Sequence, residues 1–290
     1  MKTYENFARV YDELMDNVPY EEWADFLQTK LEGYGITDGL MLDLACGTGK
    51  LTTLMAQRGF DMIGVDSSVD MLQIARERAC GKVESCLYLL QDMREFELYG
   101  TVRAVISVCD SINYVTEEEE LAQVFALVNN YLDPGGVFFF DFNTEHKYRD
   151  LMGESVIAED RDDVSFIWYN EYDEEEHLNY IDLSVFVQEQ GDLFRKFQEQ
   201  HVQKGYTLDR MKKLLDQAGL TFLEAWDGYT AEPAREDSER IVIAARERVS
   251  KSPFAYMSSS REHSFFMGSL LGSFWARSSQ RGTTWALIKV

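Results

Sequence analysis

Between residues 41 and 142, short apolar runs alternate with amphipathic stretches at helical spacing, and this alternation restricts the chain to few architectures. The runs at 41–45, 62–65, 86–90, 102–108 and 137–142 have the length and composition of buried strands. Residues 50–58, 68–79 and 116–131 read as the helices between them. The first of these is ended by Gly59, and the second carries Val69, Leu72 and Ala75 on one stripe. The third opens with a Thr-x-x-Glu capping box at Thr116 and Glu119. Asp133-Pro134-Gly135-Gly136 then turns the chain into the strand at 137–142. Strands apolar on both faces, spaced by helices, form a mostly parallel sheet covered on both sides. The first 143 residues are therefore expected to be a doubly wound α/β core.

After Asn143 the pattern changes. Residues 164–172, 179–189 and 193–203 read as successive strands, with turns at the acidic run 173–176 and at Gln190-Gly191-Asp192. This predicts a small antiparallel β insertion over 144–203, a candidate substrate lid or homodimer surface. A helix at 207–218, stopped by Gly219, and strands at 221–226 and 240–245 return to the earlier pattern and complete a seven-stranded sheet. Residues 1–143 and 204–246 thus make one α/β domain. Its N-terminal helical lid comprises the helix at 20–31 and the leader before it, which contains Tyr4, Phe7 and Tyr11. From 247 to 290 the expectation is a Ser-rich, basic tail, disordered or packed on the surface, because Glu262 is the single acidic residue after Lys251. Its apolar stretch at 265–276 is too short and too interrupted to span a bilayer.

Charge narrows the choice of partners. A net charge of -23 repels phosphate backbones and anionic lipid, and the first 250 residues hold no basic patch to override it. The start of the chain lacks a signal-peptide core and no stretch has transmembrane length, so a cytoplasmic protein is expected. Cys46, Cys80, Cys86 and Cys109 form no Cys-x-x-Cys pair and read as free thiols, not as zinc ligands or disulfides.

In a doubly wound sheet, ligands bind beyond the carboxyl ends of the strands, where the first strand meets a helix N-terminus. Gly47 and Gly49 fall there and let the backbone turn sharply and approach a ligand. A dinucleotide fingerprint would continue to a third glycine, but position 52 is Thr. Asp43 lies inside the first strand, where a carboxylate is costly unless paired; a cationic ligand would justify it and a pyrophosphate would not. Asp66 ends the second strand, where an acid accepts hydrogen bonds from ribose hydroxyls.

The segment from Leu42 to Gly49, with Asp66, Gln91-Asp92-Met93 and Leu132-Asp133-Pro134-Gly135-Gly136, resembles the class I S-adenosylmethionine (SAM) dependent methyltransferases over residues 1–246. The resemblance implies a Rossmann-like methyltransferase sheet and SAM as cofactor, with S-adenosylhomocysteine as product. It implies that Asp43 and the loop Ala45, Cys46, Gly47, Thr48 and Gly49 hold the methionine part, and that Asp66 holds the ribose. Ser67 and Met71 belong to the same cofactor site, Gln91, Asp92 and Met93 meet the adenine, and Cys109 closes the pocket. Tyr11 is a candidate lid residue. The leader Phe7-Ala8-x-x-Tyr11-Asp12, with the inserted sheet, is similar to a bacterial small-molecule subgroup that includes sugar N-methyltransferases.

A sulfonium already activates its methyl group, so catalysis is chiefly in-line positioning, with a base needed only for a protonated nucleophile. Asp110 and Asn113 follow the fourth strand and either face the methyl group or form a strand-end turn. His201, on the inserted sheet, is the other candidate base, against a purely structural role. Asp110, Asp141 and Asn143 lie at adjacent strand ends and could supply oxygen ligands to magnesium, but Asp and Asn are common strand-end residues and no metal is expected. The Asn/Asp-Pro-Pro-aromatic motif of nucleic-acid amino methylation and the Pro-Cys of cytosine methylation are both absent. The expectation is methyl transfer to an N or O nucleophile of a small molecule, with nucleic acid disfavoured. The alternatives are a non-catalytic SAM-binding partner module, a protein or tRNA methyltransferase, and, more remotely, an NAD enzyme.

Overall fold

The computed structural model describes residues 4–83 and 86–248. Two helices, α1 (Tyr4–Leu14) and α2 (Tyr20–Gly33), precede β1 (Gly39–Leu44), α3 (Lys50–Gln57), β2 (Phe60–Asp66), α4 (Val69–Ala79), β3 (Cys86–Leu90) and β4 (Val102–Ser107). A 3-10 turn at Ser111–Tyr114 leads to α5 (Glu118–Tyr131) and β5 (Leu132–Asn143). A π-helical turn at Lys147–Met152 leads into β6 (Ser155–Asp160), β7 (Val164–Asp173), β8 (Leu178–Gln190) and β9 (Leu193–Lys204). The chain returns through α6 (Leu208–Gln217), β10 (Leu220–Asp227) and β11 (Arg240–Glu247).

The strands form a seven-stranded sheet, ordered β10-β11-β5-β4-β1-β2-β3, and a separate four-stranded sheet, ordered β6-β7-β8-β9. Strands β1 to β5 pair in parallel, and β11 and β10 add antiparallel at one edge. Alternate residues of the central strands feed two cores. Leu42, Leu44, Val105, Phe138 and Phe140 face α5 and α6, while Met41, Ala104, Ile106, Val137 and Phe139 face α2 and α3. Each fully buried Phe of β5 contributes roughly 2–3 kcal/mol of apolar burial, which explains why this strand tolerates no polar alternation over 137–140.

Local details differ from the sequence expectation. Helix α5 is capped at Glu117 without a side-chain bond, so Thr116 and Glu119 form no capping box; three glutamates in its first turn interact with the helix dipole instead. Val69 is half exposed, and the buried stripe of α4 runs through Leu72, Ala75 and Ala79. Asp133 to Gly136 is a bulge within β5, not a turn before it: Leu132 pairs with Val102 and Val137 with Ala104. The inserted sheet has a fourth strand, β6, whose Val156 and Ile157 lie on an exposed edge and gave no buried periodicity to read. The tail expected at 251–290 lies outside the described residues.

Helix α1 lies between the two sheets. Val10 is buried with Val164, Ile181, Leu183 and Val185 of the inserted sheet, and Met71 of α4 packs on the same cluster. Arg161, beside β7, donates to the Glu13 carbonyl and pairs with Asp16. The insertion is rooted by Asn113, whose amide nitrogen donates to the Asn143 and Lys204 carbonyls and whose oxygen accepts from the Asn143 N–H.

Candidate functional site

Beyond β1 the backbone enters the left-handed region at Ala45 (φ 62°), Gly47 (φ 53°) and Gly49 (φ 67°) before α3 begins. Glycine adopts this conformation freely, whereas Ala45 does so at a cost of roughly 1–2 kcal/mol. Asp66 pins the loop: its two oxygens accept from the Gly47 and Ser68 N–H groups, each at 2.8 Å. A Cβ on Gly49 would lie 2.8 Å from both the Ala75 Cβ and the Tyr88 hydroxyl, while the Cβ position of Gly47 faces open space. Asp43 is buried, and its Oδ2 accepts from Thr52 Oγ1 at 2.5 Å. Its Oδ1 is buried without a hydrogen-bond partner among the described residues. Burial pushes this carboxyl up to about 7 against the pull of Thr52, and Asp66 adds to the rise. Burial also raises the Cys46 thiol.

The neighbouring residues divide by role. Thr48 donates to Asp12 of α1 at 2.8 Å, and Arg78 of α4 bonds both the Thr48 carbonyl and Asp12, so α1 is latched onto the glycine loop. Gln91 closes the loop after β3 by accepting from Glu97 N–H at 2.7 Å. Asp92 is held by Arg94, whose hydrogen bonds keep its carboxyl below the usual range. Met93 packs on the core, Ser67 is exposed at the β2 end, and Met71 is turned toward the inserted sheet. Tyr11 and Tyr20 lie near Cys109, with the Tyr20 hydroxyl 3.4 Å from its Sγ, and burial raises both phenols.

Beyond β4 two successive non-glycine residues, Cys109 (φ 58°) and Asp110 (φ 51°), occupy the left-handed region. Buried Asp141 holds them there, accepting from the Cys109 N–H at 3.2 Å and the Asp110 N–H at 2.7 Å. It also accepts from the Tyr229 hydroxyl at 2.7 Å and from Arg240 at 2.9 Å. Arg240 reaches Asp110 Oδ1 at 2.7 Å, and Gln203 Nε2 donates to Asp110 Oδ2 at 2.8 Å. Desolvation opposes the Arg240 charge, and Asp141 and Asp110 outweigh it. The oxygens of Asp110 and Asp141 are therefore committed to protein donors. Among the described residues no cluster of His, Cys, Asp and Glu is arranged to hold a metal ion.

His201 stands on β9 with its Nδ1 3.3 Å from the Tyr114 hydroxyl. Burial depresses its pKa below the ordinary 6.5, and Asp110 opposes the shift. Asp110, His201, Gln203 and Tyr114 are thus gathered at one end of the main sheet. Asn113 is different: fully buried and spent on backbone groups, it sits in the joint beneath them.

Comparison with known proteins agrees with this geometry. A family model described as a methyltransferase domain matches residues 41–136. A protein of Geobacillus sp. (strain WCH70), named as a methyltransferase, is 34% identical over 245 residues, covering 84% of this chain and 99% of its own. The chain belongs to the SAM-dependent methyltransferases, in class I. A SAM-dependent methyltransferase from Clostridium acetobutylicum ATCC 824 superposes with a TM-score of 0.77 at 29% identity, over 84% of this chain and 99% of that one. SAM-bound CalS10, an amino pentose methyltransferase from Micromonospora echinaspora, shares the fold with a TM-score of 0.66 at 19% identity, over 82% and 96% of the two chains.

The residues of this methyltransferase fit its cofactor. A buried carboxylate oxygen without a partner, Asp43 Oδ1, is what a cationic amino-acid group would satisfy. On the loop that follows β1, the Cβ position of Gly47 faces open space. Thr52, which the sequence offered only as a missing third glycine, is the hydroxyl that orients Asp43. Arg240 escaped the sequence reading, although a cation heading an apolar strand carries the same burial signal as Asp43 did. Gln203 also escaped the sequence reading, although its place two residues from His201 puts it on the same strand face. Among the described residues no helix is long and apolar enough to cross a membrane.

Proposed function

We propose that the enzyme transfers the SAM methyl group by in-line displacement to an N or O nucleophile of a small molecule. The acceptor would bind between the β4 end and the inner face of the inserted sheet. The observation that carries this reading is the Gln203–Asp110 hydrogen bond at 2.8 Å, which brings β9 of the insertion over the strand end. With α1 latched across the glycine loop, the proposed site would be covered by a helix and not be an open groove. That shape and the net charge of -23 favour a small acceptor over nucleic acid. The amino pentose specificity named for CalS10 points the same way.

Bound SAM supplies an activated methyl group. Asp43 and the loop 45–49 would hold its amino-acid part, Asp66 with Ser67 the ribose, and residues 91–93 the adenine, with Met71, Cys109 and Tyr11 completing the enclosure. His201, neutral at physiological pH because burial disfavours its charge, would accept a proton from the acceptor. Asp110, its oxygens bonded to Arg240 and Gln203, would act as a positioning residue that holds the β9 wall beside the acceptor.

The test is incubation with methyl-labelled SAM and a cell extract split by ultrafiltration. Label in the metabolite fraction is expected. Label confined to protein or RNA would sink the small-molecule reading, and tight SAM binding without transfer would favour a non-catalytic module.

A further inference from the structure

Along β9, Phe197, Glu199, His201 and Gln203 alternate and share one face, opposite Val185, Leu183, Ile181 and Asn179 of β8. This is the face that packs against α1, since Ile181, Leu183 and Val185 are buried there with Val10. It is also the face whose Gln203 reaches Asp110. Glu199 therefore belongs to the wall that bears His201, about 7 Å farther along the strand at a rise of about 3.4 Å per residue.

Glu199 is 5% exposed. Its Oε1 is buried with no hydrogen-bond partner among the described residues, and its cross-strand neighbour is the apolar Leu183. Among the described residues, the other buried acids are accounted for. Asp141 holds Arg240, Glu247 accepts from the Gly135 N–H at 3.0 Å, and Asp43, whose Oδ2 accepts from Thr52, precedes the glycine loop and is assigned to the cofactor in the proposed function. An acid without a partner at such a position costs stability, and it is retained where a ligand supplies the partner. Burial raises its pKa, with no protein group pulling it back.

We propose that Glu199 is an acceptor-binding residue that recognises a cationic amino group, so that the acceptor presents an ammonium to Glu199 and its nucleophile to His201. This rests on the reading of a small-molecule acceptor. A carboxylate in an apolar wall discriminates by charge: a neutral isostere leaves it desolvated and unpaired. The acidic protein as a whole also attracts cations to its clefts.

The experiment uses the full chain saturated with S-adenosylhomocysteine and titrated with D-glucosamine or its uncharged counterpart D-glucose. Melting temperature and calorimetry are the readouts, on wild type, Glu199→Gln and Glu199→Leu. Glucosamine should raise the wild-type melting temperature and glucose should not. Glu199→Gln should weaken glucosamine about tenfold or more while leaving the nucleoside affinity unchanged. Glu199→Leu should melt higher than wild type without sugar, because it replaces an unpartnered acid by an apolar side chain beside Leu183. Equal binding of the two sugars, failure of both to bind at millimolar concentration, unchanged binding by Glu199→Gln, or a lower melting temperature for Glu199→Leu would each overturn the proposal. Labelled transfer to metabolites alongside any of these results overturns this inference alone. Transfer only to macromolecules overturns the small-molecule reading with it.

Discussion

On the β1–β3 side of the site, carboxylates come from successive strands, Asp43, Asp66 and Asp92, and bond to groups no more than 19 residues away: Thr52, Gly47, Ser68 and Arg94. On the β4–β5 side the partners are distant in sequence. Asp110 and Arg240 lie 130 residues apart, Asp110 and Gln203 lie 93 apart, and Asp141 and Tyr229 lie 88 apart. The first side is a backbone cradle with one open carboxylate oxygen. The second is a charge network that is internally satisfied and therefore stiff. On the proposed function, cofactor binding would be local chemistry, while acceptor positioning would depend on the whole sheet edge being in place.

The largest effect that separates the two sides is expected from Arg240. Replacing it with Met strips the cation from Asp110 and from fully buried Asp141, which should cost about 3–5 kcal/mol of folding stability. Arg94→Met on the cofactor side breaks half-exposed pairs with Asp92 and Glu120 and should cost no more than about 1 kcal/mol. Urea unfolding of both variants measures the difference, and equal losses would erase the distinction.

Next in size is His201. With an acceptor in hand, His201→Gln should lower kcat by about 10²–10⁴-fold while SAM affinity is unchanged. Because burial depresses the His201 pKa below 6.5, the base form predominates at neutral pH, and wild-type kcat should fall as pH drops through that lowered value. A variant that keeps both the rate and the acid limb would remove His201 from the reaction and make the acceptor side purely a positioning device.

These contrasts also explain what could be read from the chain. The parallel core was legible because residues 41–45, 62–65, 102–108 and 137–142 are buried almost throughout, and the edge run 86–90, where Tyr88 is the buried residue, is still continuously apolar, so the runs are visible without any partner. The glycine loop was legible because its strand, turn and helix are contiguous. Strand β6 was not, since an exposed edge strand carries no burial pattern. The Asp141–Arg240 pair was not either: a long-range ion pair leaves no local periodicity, only an unexplained charge at the end of an apolar strand. Thr116 shows the opposite failure, a local motif that the helix start at Glu118 bypassed.

Asp43 tests the cofactor side by itself. Asp43→Asn should weaken SAM about 10- to 100-fold in calorimetry with little effect on acceptor positioning. The pH behaviour gives an independent signature. The folded carboxyl is raised from 3.8 to about 7, so its contribution to stability is fully present below the ordinary value and is lost as pH rises toward about 7. Cofactor-free wild type should therefore lose stability over that window, and Asp43→Asn should not. Bound SAM should lower this pKa, so binding near pH 6–7 should release protons, seen as buffer-dependent binding heats. Binding heats independent of buffer would place the cationic group elsewhere.

The smallest effect is the most informative about how the two sides communicate. Asp12 ties α1 to Thr48 and Arg78 on the cofactor side, while Val10 of the same helix is buried against the inserted sheet. Asp12→Asn keeps the size of the side chain and removes the charge that Arg78 reads. Its partners are partly solvated, so a loss of about two- to fivefold in SAM affinity is expected. If α1 is a lid shared by both sides, the acceptor KM should rise by a similar factor and proteolysis within α1 should quicken. If SAM affinity falls while KM and proteolysis stay fixed, the helix serves the glycine loop alone, and the contact with the inserted sheet is packing that does not move with the cofactor.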